Sequence, residues 1–311
     1  MPTDSPVVHP AQEEIVSGLS REPPMIPPKY FYDSHGSMLF ERITRLPEYY
    51  PTRTERSIMG THGRDMAQRI PAESTVIELG AGNCEKAHEL CSLIRPACYV
   101  PIDISADFLH DAAQALRDAH PTLDVRPVVA DLAADIDLDG EVPAERRLVF
   151  YPGSSIGNFE PDDAAGLLSR SRRLLDGDGA MLVGVDLVKE ESVLHAAYND
   201  AENVTAAFNL NALAHLNRLI GSNFDLREWR HHAFFNHARS RIEMHLEALV
   251  DTTVAWMGGE RRFRRGERIH TENSYKYGIE DFAGLLDRAG FSSIVCWTDP
   301  RRWFAVFLAH A

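Results

Sequence analysis

Three carboxylates and two glycines are the residues of this chain whose spacing first suggests chemistry. The stretch Thr75-Val-Ile-Glu-Leu-Gly-Ala-Gly-Asn is an apolar run that carries Glu78 and breaks into a G-x-G turn at Gly80 and Gly82. Glycine reaches positive φ and has no Cβ, so such a turn lets a ligand come close to the backbone. Asp103 follows Gly82 by 21 residues and ends a second apolar run, where folds of this kind hold a ribose diol. Asp131 closes a third run and is well placed for an adenine amino group.

A G-x-G turn after a strand serves a nicotinamide dinucleotide, a flavin or S-adenosylmethionine. The dinucleotide fingerprint needs a third glycine where this chain has Glu85, and a carboxylate is poorly suited to face a pyrophosphate. Glu78, just before the turn, suits a ligand that brings an amino group and a sulfonium. The electrostatics favour a methyl donor with one nucleoside over a dinucleotide.

The elements that must position these groups follow from periodicity. Val76, Ile77 and Leu79 suit a strand buried on both faces. Strands at 75–79, 98–103, 125–131, 147–151 and 179–187 alternate with helical patterns at 85–93, 108–120 and 162–175, after a helix at 54–69. That rhythm predicts an α/β, Rossmann-like fold with a mainly parallel sheet. A helix at 279–289 and a terminal antiparallel hairpin near 293–297 and 303–309 complete seven strands. The methyltransferase-type, donor-binding domain is therefore expected at 56–187 and 276–311, with a discontinuous α+β substrate domain at 1–55 and 188–275.

Within the second region, the proline-rich residues 1–28 read as an extended arm. Ser37 is the expected cap of a short helix stopped by Pro47. Helices are expected at 192–199, 204–219 and around 225–237. Residues 240–250 alternate like a half-buried strand, with Ile242, Met244, Leu246 and Ala248 on one face and Glu243, His245 and Glu247 opposite. Segments 254–257 and 262–264 are expected to pair with it, and 266–277 reads as a polar loop. Arg261, Arg262, Arg264, Arg265 and Arg268 read as a solvated hairpin. Tyrosines at 30, 32, 49 and 50 suit core packing or a pocket wall with hydroxyls turned to a polar ligand.

Composition removes several function classes. The 311 residues are 44% hydrophobic and 25% charged, as in an ordinary globular protein. A net charge of −14 argues against nucleic-acid and anionic-membrane partners. The sequence has neither a membrane-length apolar run nor a basic-then-apolar leader pattern, so a cytoplasmic protein, and a monomer, is expected. Cys84, Cys91, Cys98 and Cys296 lack zinc-knuckle spacing and read as free thiols. His231, His232 and His237 form no familiar ligand frame, and no metal is expected.

Seven strings then occur in order along the chain. They are Tyr30-Phe-Tyr-Asp-Ser-His-Gly-Ser through Leu46-Pro-Glu-Tyr-Tyr-Pro-Thr-Arg-Thr-Glu; Glu78-Leu-Gly-Ala-Gly-Asn-Cys-Glu-Lys; Tyr99-Val-Pro-Ile-Asp-Ile-Ser; Tyr151-Pro-Gly-Ser-Ser-Ile-Gly-Asn-Phe; Ala197-Tyr-Asn-Asp with Val204-Thr-Ala-Ala-Phe-Asn-Leu-Asn; Arg241-Ile-Glu-Met-His-Leu; and Thr271-Glu-Asn-Ser-Tyr-Lys-Tyr. In these the chain resembles the S-adenosylmethionine-dependent histidine Nα-methyltransferases of ergothioneine biosynthesis, which make hercynine.

The resemblance implies a role for each matching residue. Glu78, Gly80, Gly82 and Lys86 would lie along the donor's amino-acid end, Asp103 on its ribose, and Asp131 with Leu132 near adenine. Tyr32, Phe40 and Gly153 would line the region where donor and acceptor meet. Asn158 and Tyr198 would bind the substrate carboxylate, and Ser155 would reach the amine through water. Glu272 and Ser274 would hold the imidazole nitrogens, with Tyr49 nearby and Met244 packed on the ring. Tyr32 and Tyr49 are the candidate catalytic residues. The substrate would be L-histidine, the cofactor S-adenosyl-L-methionine and its product S-adenosyl-L-homocysteine. The Glu272-x-Ser274 pair with Met244 favours imidazole over the indole of related enzymes. A non-catalytic sensor of the same donor would be expected to have lost these acceptor residues.

Overall fold

A computed structural model describes residues 10–138, 140, 142–175 and 177–311. In chain order the elements begin with α1 (Pro10–Ser20), α2 (Ser34–Thr44) and α3 (Tyr50–Arg69). The sheet and its covering helices follow: β1 (Thr75–Leu79), α4 (Glu85–Ile94), β2 (Cys98–Asp103), α5 (Ala106–Ala119), β3 (Asp124–Val125), β4 (Val128–Val129), β5 (Arg147–Tyr151), α6 (Pro161–Arg173) and β6 (Ala180–Asp186). Next come α7 (Glu191–Tyr198), α8 (Val204–Ile220), β7 (Trp229–Asn236), β8 (Arg241–Ala248), β9 (Thr252–Trp256), β10 (Gly259–Phe263) and β11 (Arg268–Tyr275). The chain ends with α9 (Ile279–Arg288), β12 (Ser292–Thr298) and β13 (Phe304–His310).

Two compact units result. The sheet unit comprises Tyr49–Glu190, His237–Arg241 and Ser274–Ala311. Its strands run β12-β13-β6-β5-β1-β2-β3, with β4 also paired to β2. The β2-β1-β5-β6 core is parallel, and β13 pairs antiparallel with both β6 and β12. Counting β3 and β4 as one interrupted strand gives the expected seven. The interruption falls at Arg126-Pro127, where Pro127 has no N–H for the ladder. The third strand therefore does not run unbroken to Asp131, which lies beyond β4. Strand β1 is buried along its whole length, as its unbroken apolar run requires. Apolar layers cover both faces of the sheet.

The second unit takes in the described residues up to Glu48, together with Glu191–Asn236 and Ile242–Asn273. Its core joins Ile15 and Leu19 of α1 to Leu213 and Leu216 of α8, Leu246 of β8 and Phe263 of β10. Several local expectations are corrected here. Of the proposed arm, 1–9 lies outside the described residues and Pro10–Ser20 is helical, burying Ile15 and Leu19 on one face. The cap of α2 is Asp33, whose Oδ1 accepts from Gly36 N at 2.7 Å, and Ser37 lies within the helix. The segment expected as a third helix is a short turn followed by β7, in which Trp229 and Ala233 are buried.

Strand β8 is central in a sheet ordered β11-β8-β7, so Glu243 and Glu247 are buried rather than solvated. The expected partners of β8 pair instead with each other as the β9–β10 hairpin. The expected polar loop is β11. Its polar residues hide the period-two signal because Thr271, Glu272, Asn273 and Ser274 are buried in succession. In the basic hairpin Arg262, Arg264, Arg265 and Arg268 are exposed, as a solvated hairpin requires, while Arg261 is half-buried and donates to Leu19 O and Glu267; Arg262 also meets Asp251, and Arg268 meets Glu247. All four cysteines are free. Among the described residues no helix is long and apolar enough to cross a membrane.

Candidate functional site

The glycine turn takes the geometry its sequence requires. Gly80 and Gly82 have φ of +66° and +53°, values that a side chain would strain. Gly82 N donates to Asp103 Oδ2 at 3.0 Å, and Ser105 N donates to Asp103 Oδ1 at 3.0 Å. The end of β2 is thereby tied to the turn, and the carboxylate retains lone pairs for a diol. Leu132 faces Gly80, and its carbonyl accepts from Arg170 at 2.9 Å. Asp131 Oδ1 accepts from Ala133 N at 2.9 Å. Glu85, which stands where a dinucleotide fold has glycine, pairs with Arg56 of α3 at 2.9 Å.

Glu78 is buried, and the Tyr99 hydroxyl donates to it. Burial pushes its carboxyl up to about 8, outweighing the Tyr99 hydrogen bond and the attraction of Lys86. Burial and the neighbouring Glu78 hold the Tyr99 hydroxyl well above its ordinary range. Among the described residues no ammonium stands in direct contact with Glu78, and a buried carboxyl of raised pKa is poised to ionise when a cationic group arrives.

Glu55 is a residue that the sequence reading left aside. Its carboxylate receives Lys86 Nζ at 2.8 Å and Gly153 N at 2.9 Å, so α3 joins two expected donor contacts. Gly184 of β6 makes room for it, since a Cβ there would stand 2.0 Å from Glu55 Oε1. The available signal was its position three residues before Ile58 on the buried face of α3.

Beyond β5, Ser155 opens a 3-10 turn that ends at Asn158. Glu160 anchors the end of that turn, accepting from Arg241 at 2.7 Å and from the Tyr275 hydroxyl at 2.5 Å. Gly157 lies against the backbone of Tyr275, where an added Cβ would be 2.9 Å from its carbonyl oxygen. Tyr49 is the N-cap residue of α3. The adjacent Tyr50 donates to Asp186 Oδ2 at 2.7 Å. Ser274 accepts from Lys276 at 2.7 Å.

In the second unit, Tyr32 packs edge-on to Phe40 and Phe208, with centroids 5.8 and 5.6 Å away. Asp33 fixes this corner, because Asn211 of α8 donates to the same oxygen that caps α2, at 2.8 Å. Tyr30 belongs to the core, with its hydroxyl on Glu14 at 2.6 Å. Tyr198 ends α7, and its carbonyl accepts from His231 Nε2 at 2.9 Å, while Asn209 donates to His231 Nδ1 at 2.9 Å. Burial lowers the pKa of His231 and keeps that bridge neutral. Met244 and Glu272 are buried on β8 and β11.

Glu243, His245 and His270 hold ligand-type atoms within 4.8 Å of one another. His245 Nε2 donates to Glu243 at 3.1 Å and His270 Nε2 to Asn273 at 2.9 Å. Burial and the neighbouring His270 push His245 down to about 4, so it is neutral within this network.

The model of the family described as histidine-specific, SAM-dependent methyltransferases matches residues 11–311. The chain belongs to this family. It is a SAM-dependent methyltransferase, and the glycine turn, Asp103 and buried Glu78 fit an amino-acid-bearing nucleoside. The methyltransferase is 39% identical over 305 residues to the histidine N-alpha-methyltransferase of Mycolicibacterium smegmatis, covering 96% of this chain and 94% of that one. It is 36% identical over 312 residues to the protein of the same name from Mycobacterium tuberculosis, with the same 96% and 94% coverage. Ergothioneine biosynthesis protein 1 of Neurospora crassa is 31% identical over 295 residues, which cover 89% of this chain and 32% of that longer protein.

Proposed function

We propose that this methyltransferase transfers three methyl groups from S-adenosyl-L-methionine to the α-amino group of L-histidine. The product is hercynine, and the reaction is the first step towards ergothioneine. The observation that carries the substrate assignment is on β11, where a buried carboxylate, Glu272, stands two residues from a buried hydroxyl, Ser274. A carboxylate accepts an imidazole N–H and a hydroxyl can donate to the other ring nitrogen. A ligand lacking that N–H would leave a buried acceptor unmatched, a loss on the order of 10⁴-fold in favourable cases. The names of the two mycobacterial relatives and of the fungal one support the same reading.

Donor binding is assigned to Glu78, Gly80, Gly82, Lys86, Asp103, Asp131, Leu132 and Gly153 of the sheet unit, and the family resemblance adds Tyr32 and Phe40. Asn158 and Tyr198 hold the histidine carboxylate with neutral donors, Ser155 reaches the amine through water, and Tyr49 and Met244 enclose the ring. The donor supplies an electrophilic methyl carbon on a sulfonium. The chain's task is to hold a neutral amine in line with the C–S bond, so positioning provides much of the rate. Tyr32 orients the amine, and the aromatic faces of Tyr32, Phe40 and Phe208 suit a quaternary ammonium product.

Mass spectrometry of the product tests the methyl count: trimethylhistidine is expected, and a reaction that halts at monomethylhistidine contradicts it. Glu272→Ala should weaken histidine binding at least tenfold, about 1.4 kcal/mol or more, and leave donor binding unchanged. Calorimetry with unaltered histidine affinity would remove the imidazole assignment.

A further inference from the structure

Glu55 of α3 is buried in the sheet unit, where it ties α3 to α4 and to the turn after β5. Its Oε2 receives Lys86 Nζ from the first turn of α4 at 2.8 Å, and its Oε1 receives Gly153 N at 2.9 Å. Gly153 N is also 3.1 Å from Oε2. Behind the carboxylate, Gly184 of β6 leaves the space that a side chain would fill. Gly153 does the same for the lysine, since a Cβ there would stand 2.7 Å from Lys86 Nζ.

The partners require a carboxylate. Both arrive as donors, an ammonium and an amide N–H, and a carboxylate has an acceptor oxygen for each. A glutamine in the same place would turn its NH2 against one donor or the other. The pair is also one-sided. The side chain of Glu55 is 6% exposed and that of Lys86 30%, so the anion is sealed in the fold while the cation reaches the surface. A lysine ammonium has three protons, and the hydrogen bond to Glu55 uses one. The neighbouring Arg56 pairs with Glu85 and Glu89 of α4, but it is exposed, and such pairs contribute little.

We infer that Glu55 is a positioning residue of the donor site: it fixes the Lys86 ammonium over Gly153 before the donor arrives, with protons left for the carboxylate of S-adenosylmethionine. This rests on the reading of Lys86 as a contact to the amino-acid end of the donor. An unheld lysine side chain loses much rotamer freedom when a ligand orders it. Here that loss falls on folding rather than on binding, which is how preorganisation raises affinity. Glu78 and Lys86 then divide the two charges of the donor's amino-acid end, its ammonium going to Glu78 and its carboxylate to Lys86.

Calorimetry with two ligands tests this. S-adenosylhomocysteine carries the amino-acid end, and methylthioadenosine has the nucleoside and thioether without it. Glu55→Gln should weaken S-adenosylhomocysteine about 10- to 100-fold and leave methylthioadenosine within about twofold of its original affinity. An equal loss for both ligands would mean that Glu55 only supports the fold, and it overturns the inference. Lys86→Met should show the same ligand-selective loss. The double variant should bind no more weakly than Lys86→Met, because Glu55 acts through that lysine, and fully additive losses overturn this. Unchanged S-adenosylhomocysteine affinity in Lys86→Met overturns the underlying contact. Weakened binding there with unchanged binding in Glu55→Gln overturns the role of Glu55 alone. Arg56→Gln, which removes the exposed pairs of the same helix, should leave both ligands within about twofold; a loss comparable to that of Glu55→Gln overturns the inference in favour of helix docking. Should Glu55→Gln not fold, the nitrogen-15 spectrum of unaltered enzyme labelled at lysine Nζ decides the matter. A Lys86 ammonium signal protected from solvent exchange, identified by its loss in Lys86→Met, is expected before any ligand is added. Its absence from the free enzyme overturns the inference.

Discussion

Glu78 lies one residue before the end of β1 and Asp186 ends β6 of the same sheet, and both are about 1% exposed. Their surroundings drive them in opposite directions. Glu78 has a neutral direct partner, the Tyr99 hydroxyl, and burial raises its carboxyl to about 8. Burial acts on Asp186 in the same sense, but the ammonium groups of Lys276 and Lys189 more than reverse it and hold that carboxyl below the ordinary range. A buried carboxylate with its cations built in is a structural joint. One without a built-in cation in contact is a receptor for a cation brought by a ligand. That difference separates a strand end that braces the fold from the strand end proposed to bind the donor.

Removing each charge should break this comparison most visibly. Asp186→Asn removes the carboxylate that two buried lysines share and should cost about 3–5 kcal/mol of stability in chemical denaturation. Glu78→Gln preserves an acceptor for Tyr99 and should cost about 1 kcal/mol or less in the same measurement. Its effect should fall on the donor instead, with affinity about 10- to 100-fold weaker, as for loss of a hydrogen bond to a charged group worth about 1.5–3 kcal/mol. A Glu78→Gln variant that unfolds while binding the donor normally would reverse the two assignments.

Titration sharpens the same contrast. Glu78 must lose its proton to receive the donor's ammonium, so donor affinity should rise about tenfold per pH unit between pH 6 and 7 and stay flat in Glu78→Gln. Stability should move the other way at this residue. Its folded pKa is raised from 4.5 to about 8, so its contribution is present at low pH and is lost as pH rises through that window. The contribution of Asp186, whose folded pKa is lowered, is present above the ordinary carboxylate range and is lost as pH falls. The smallest expected effect is that of Tyr99→Phe. Its hydroxyl favours the ionised form of Glu78, so the donor-affinity limb should move up by less than about one pH unit.

The sheet unit was legible because its signals are local. The apolar run of β1, the two glycines and Asp103 lie within 75–103, and each follows from backbone geometry or burial on both faces of a strand. The remainder depends on contacts remote in sequence. The polar string His270-Thr-Glu-Asn-Ser has no alternation to mark a strand, because Thr271, Glu272, Asn273 and Ser274 are all buried. The seven strings drew attention to Glu272 and Ser274 through resemblance, while the lysine behind Ser274 went unremarked. Its partner Asp186 is 90 residues earlier in the chain. Glu55 escaped for the same reason, because its meaning comes from Lys86 and Gly153. Helix was expected where β7 runs because a short segment rich in aromatics and histidine fits either period, and its pairing with β8 decides the outcome.

The central claim is that the acceptor is the α-amine of histidine. Its most direct test is incubation of the enzyme with S-adenosylmethionine labelled on the methyl group and each of the twenty amino acids in turn, followed by fragmentation of the labelled product. Label entering histidine alone, as three methyl groups on the α-nitrogen, is the predicted result. Label on another amino acid, or on a ring nitrogen of histidine, would contradict it.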